Sequence, residues 1–88
     1  MPQILNMAFI SKEELAPFIN TSLIRGRDFA ALAEISRKEK LKREETGYSA
    51  KQMENFTYGN TCSERTKKII LDYFRKKLAE LKKEVLKY

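Results

Sequence analysis

The feature that most restricts this chain is a helix-start signal that recurs along it. In a capping box, a serine or threonine side chain accepts from the backbone N–H three residues on. A glutamate or glutamine at that position accepts from the capping residue's own N–H. The stretch "ISKEEL" carries the signal at Ser11 and Glu14, and "YSAKQM" carries it at Ser49 and Gln52. Each is flanked by a stapling apolar pair, Ile10 with Leu15 and Tyr48 with Met53. A third start lies in "NTCSERT", where Thr61 with Glu64, or Ser63, opens the last helix. These starts predict an all-α chain: a small bundle of four to five helices with a long C-terminal helix.

Stop signals complete the outline. Pro17 removes a backbone donor and disfavours helix at Ala16, so the first helix is short or kinked and fades by about Asn20 to Ser22. After a basic turn around Gly26, Asp28 can cap a second helix, in which Phe29, Leu32, Ala33 and Ser36 share a face with Ile35 beside them. Its continuation, "RKEKLKREE", is helical by propensity and keeps only Leu41 to bury, and Gly47 ends it as a left-handed residue. Gly59 stops a helix begun at Ser49, and "NTCS" is a tight connection to a last helix, 63–88, with no Gly or Pro. The apolar stretch 4–10 fits a strand, a helical turn or a docking arm; we read 1–10 as an apolar N-terminal arm of one domain spanning 1–88.

Charge bounds the function. Lys and Arg number 18 against 12 Asp and Glu, a net +6. Nine cations and four anions lie in 63–88, so five of those six charges sit on the last helix. Such asymmetry favours an anionic partner, and a solvated Lys-rich face is the plain alternative. There is one cysteine and no histidine, which excludes an intramolecular disulfide and the ordinary Cys/His zinc sites. Without a signal-like N-terminus or a run of roughly 20 apolar residues, the expected chain is cytoplasmic, with no membrane partner. No Gly-rich phosphate loop or carboxylate cluster reads as a site, so no enzyme and no cofactor are expected. Cys62 beside a helix start could have a lowered thiol pKa, although a small turn or core residue is the simpler reading.

The last helix also carries a heptad seam: Leu71, Phe74, Leu78, Leu81, Val85 and Tyr88. It could be a dimer or partner interface, or one helix packing on its own domain. A parallel pair would face Lys77 with Lys82, whereas an antiparallel pair could set Lys77 against Glu84.

The segment 49–74 has the parts of a helix-turn-helix: a short helix, a turn at Gly59-Asn60-Thr61-Cys62, and a second helix with a polar tip and apolar shank. A rival register makes Gly47-Tyr48-Ser49 the turn and 50–58 the reading helix; it ranks lower because the helix before it buries only Leu41. "REETGYSAKQM" (43–53) resembles the entry to the helix-turn-helix of the phage-repressor (Cro-like) class: a helix ending Arg-Glu, then Gly, an apolar residue and Ser. "SERT" at 63–66 is similar to a common opening of recognition helices. Glu54 stands where that family usually has a small residue, and Gly59 comes one residue late. The resemblance covers about 30 of the 88 residues. It implies a DNA-binding regulator with Ser63, Arg65, Thr66 and Lys67 facing bases or phosphates.

The expectation is therefore a small basic protein that binds double-stranded DNA and regulates transcription, plausible as a homodimer. Ser63, Arg65, Thr66, Lys67 and Lys68 would enter the major groove, and Arg25 and Arg27 would touch flanking phosphates. The alternative is a non-enzymatic interaction module, adaptor or inhibitor, whose last helix binds a protein partner or a second copy.

Overall fold

The computed structural model describes residues 7–19, 24–42 and 46–86, with side chains up to 83. The elements run β1 (Met7–Ala8), α1 (Lys12–Ile19), α2 (Gly26–Lys38), α3 (Ala50–Thr57), β2 (Cys62–Ser63) and α4 (Glu64–Leu86). The protein is a small, mostly α-helical globule. The one sheet described is two residues wide on each strand, antiparallel, with Met7 opposite Ser63 and Ala8 opposite Cys62. The N-terminal arm is thus a strand at 7–8, and "NTCS" ends in its partner strand.

Both early capping boxes form. Ser11 N–H donates to Glu14 and Glu14 N–H to Ser11 Oγ. Ser49 and Gln52 exchange the same pair of bonds. At the third start Ser63 is the cap, accepting from Thr66 N–H at 3.1 Å. α1 (Lys12–Ile19) runs on through Ala16 and Pro17, where the proline was expected to disfavour helix, and residues 20–23 lie outside the described residues.

The helix expected to run on to Gly47 stops early, and this is a correction. α2 ends at Lys38, Lys40 takes a left-handed φ of 53°, and Leu41 N–H closes back on Ser36 O at 3.0 Å. The physical reason is the one visible in the composition: beyond Ser36 there is too little apolar surface to hold more turns against the core. Residues 43–45 lie outside the described residues.

One core joins all four helices. Ile10, Leu15, Phe18, Phe29, Leu32, Met53, Ile70, Leu71 and Phe74 form it, with the Phe18 and Phe74 rings 5.7 Å apart. This settles half of the proposed α4 seam. Leu71 and Phe74 are buried in the chain's own core, so these two are not available to a partner, and Leu78 packs half-buried against it. Leu81 is exposed; Val85 and Tyr88 lie outside the described side chains. Lys77, which an antiparallel pairing would have turned towards Glu84 of a second copy, instead binds Asp28 of its own chain at 2.7 Å. Among the described residues, no helix is long and apolar enough to cross a membrane.

A candidate nucleic-acid interface at one end of the helices

Three contacts fix where the helix ends lie. Ser36, fully buried near the end of α2, accepts from Tyr48 N–H at 2.7 Å and donates to Ala33 O at 2.7 Å. That ties the start of α3 to the end of α2. Gly47 lies so close across α2 that a Cβ there would sit 2.7 Å from Arg37 Cα, and its φ is +73°. Arg65, in the first turn of α4, pairs with Glu39 just past α2 at 2.9 Å. Lys67, one turn into α4, pairs with Glu14 in the first turn of α1 at 3.1 Å. The N-termini of α3 and α4 and the C-terminus of α2 therefore share one end of the molecule, while the first turn of α1 lies beside α4 and beside Tyr58 and Gly59 past the end of α3.

That end is basic. α2 and the chain after it bring Arg37, Lys38, Lys40 and Lys42, and α3 brings Lys51. Arg65, Lys67 and Lys68 come from α4. Arg37 pairs with Glu34 and Lys51 with Glu54, and both cations are exposed, so neither is held away from solvent. Lys38 and Lys68 have no ion pair among the described residues and stand in solvent. A hollow of about 530 Å³ opens between Ala8 and α4, rimmed by Arg65, Lys67, Lys68 and Arg75 over Leu71, with Glu64 the acid among them. Helix N-termini add partial positive charge to this arrangement.

The residues expected to read bases divide. Thr66 is fully buried, its hydroxyl 2.8 Å from Ser63 Oγ. Ser63 is half-buried and caps α4. Thr66 therefore cannot reach a base or a phosphate, and that expectation is corrected by its burial, while Ser63 caps the helix start with its side chain half in solvent. Arg65 and Lys68 are exposed and Lys67 is half-buried in its pair with Glu14. Arg25 and Arg27 are exposed at the opposite end of α2, about 18 Å away at 1.5 Å per residue. They belong to a different surface, where Arg27 lines a cleft with Tyr73, Lys76, Lys77 and Glu80.

Lys38, Lys40, Lys42 and Lys51 were not among the expected site residues. Their signal was present in "RKEKLK", but as a helix face that run reads as solvated; its position beside two helix starts joins it to the cations of α4. Cys62 is buried, which pushes its thiol pKa up, so the reactive-thiol reading is removed. Among the described residues no group of His, Cys, Asp and Glu could hold a metal ion. No protein-family model matches the chain, and neither a curated protein nor a solved structure matches it.

Proposed function

We propose that the protein binds double-stranded DNA through this basic end and acts as a regulator of transcription. The observation that carries the reading is the convergence of the α3 and α4 N-termini with the cations of α2, α3 and α4, fixed by the Ser36–Tyr48 and Glu39–Arg65 contacts. Phosphates would be met by Arg65 and Lys68 on one side and by Lys38, Lys40 and Lys42 on the other. Contacts of this kind supply affinity without sequence preference.

The geometry favours the register in which α3 is the reading helix. The objection to that register was a preceding helix with nothing but Leu41 to bury. The helix before α3 is instead 26–38, which buries Phe29, Leu32 and Ser36. α3 is held by Met53 and Thr57 on its inner side, while Lys51 is exposed and Asn55 half-exposed. The Asn55 side-chain amide makes no hydrogen bond within the described protein, which leaves it free for the paired donor and acceptor of an adenine edge. The connection, residues 39–49, is longer than the roughly three to four residues usual in such motifs.

A gel-shift titration against random duplex at several salt concentrations tests the reading. Retardation should weaken steeply with salt, log K falling by about 0.9 per log salt for each phosphate neutralised. Reversing Arg65→Glu with Lys68→Glu should cut affinity by well over tenfold. Unchanged retardation by that double variant rejects this surface. Asn55→Ala should relax sequence preference, read by selection from a random pool, while leaving the salt slope in place.

A further inference from the structure

We infer that a second copy of this chain docks in the apolar groove beside α1, forming a two-fold dimer. The inference is independent of DNA binding. The groove has a volume of about 750 Å³, with Leu15 and Ala16 in its wall and Phe9, Ile19 and Tyr58 along it. Those last three stand 55%, 51% and 54% exposed, and they are three of the five large apolar side chains left in solvent among the described residues. Isolated exposed apolar residues need no explanation; three converging on one hollow mark an interaction surface. The proximal half of the α4 seam cannot serve instead, since Leu71 and Phe74 are in the core.

Two properties of the groove select a second copy over an unrelated partner. A two-fold interface uses one patch on both sides, so the patch must be complementary to itself. This patch holds both a hollow and apolar projections that can fill a hollow. It also carries adjacent, opposite charges, Lys12 and Glu13, exposed and without an ion pair among the described residues. A two-fold axis passing beside them sets Lys12 of each copy against Glu13 of the other.

Sedimentation equilibrium of the full chain tests this. The native protein should be a concentration-dependent dimer, and Phe9→Asp or Ile19→Asp should weaken it by about a hundredfold. Both side chains are half in solvent already, so the variants should keep the far-UV circular dichroism of the native chain. Lys12→Glu alone should weaken association by about tenfold, because it places like charges together twice. The exchange Lys12→Glu with Glu13→Lys should restore it, a rescue expected only if the patch meets itself. A native protein that stays monomeric at the highest attainable concentration overturns the inference. So does a dimer indifferent to Phe9 and Ile19 but lost in Leu81→Asp, which would place the contact on α4.

Discussion

The two ends of α2 hold α4 in opposite ways. At the N-terminal end, Asp28 is 2% exposed and accepts from Arg25 N–H, Tyr73 Oη–H and Lys77 Nζ at 2.8, 2.9 and 2.7 Å. At the C-terminal end, Glu39 meets Arg65 at 2.9 Å with both side chains at least half in solvent. The same antiparallel packing thus carries a closed, fully satisfied ion pair at one end and an open one at the other. A buried pair fixes geometry, and its loss is severe because the remaining partner is stranded. An open pair contributes little to stability and leaves its cation within reach of another anion. Charge locked into the fold is therefore separated from charge left for a ligand by the length of one helix.

The first way to break this contrast is Asp28→Ala. It uncaps α2 and removes the buried acceptor shared by Tyr73 and Lys77, and unfolding in urea should show a loss of about 3 kcal/mol. Acid should erode the same network. Burial alone would raise the Asp28 pKa, but the Lys77, Arg25 and Tyr73 hydrogen bonds outweigh it and hold the carboxyl below its ordinary value. A group depressed in the folded state stabilises above its unfolded pKa, about 3.9, and loses that contribution as pH falls further. Tyr73 works from the other side. Burial first, and then the bond to Asp28, push the phenol up to about 12. Its contribution is complete below the unfolded value near 10 and is lost as pH rises through the folded one. Stability measured across pH should fall at both extremes, and Asp28→Asn should flatten the acid limb.

Gly47→Ala is the next largest change, and it acts at the open end. The added Cβ would meet Arg37 Cα and N, each at 2.7 Å, in a left-handed backbone that alanine resists. Strain of this kind costs about 1–3 kcal/mol. Because the clash falls where α3 is tied to α2, the variant should also lower DNA affinity more than its loss of stability explains. Gly59→Ala is the control: its φ is also positive, but nothing lies within 4 Å of the new Cβ. Comparing the two by thermal melting and gel shift separates backbone strain from displacement of α3.

What could be read from the sequence follows the range over which each interaction acts. The capping boxes at Ser11 and Ser49 involve residues three apart, so their partners were visible and both formed. The end of α2 was misplaced by two turns because propensity favours helix through "RKEKLKREE", whereas burial, a tertiary quantity, stops it at Lys38. Leu71 and Phe74 show the same limit: a heptad seam fits an intrachain core and an interchain one equally well, and the covering residue Phe18 is more than 50 positions away. The basic end was half legible. Arg65, Lys67 and Lys68 stood out as a run beside a helix start. Lys38, Lys40 and Lys42 joined them only through Glu39 and Arg65, 26 residues apart in the chain.

The smallest change sharpens the comparison most. Glu39→Ala removes the acid at the centre of the basic end. Its pair with Arg65 is exposed, so stability should shift by no more than about 0.5 kcal/mol in denaturant unfolding. DNA binding should move the opposite way from every other variant: it should tighten by a few-fold at low salt. Arg65 would be released for a phosphate, and a negative charge that repels the duplex would be gone. The effect should fade at high salt, as exposed charges are screened within a Debye length of about 8–10 Å. If Glu39→Ala weakens binding instead, Glu39 is orienting Arg65, and the open end is held in place for the ligand much as Asp28 holds the closed one.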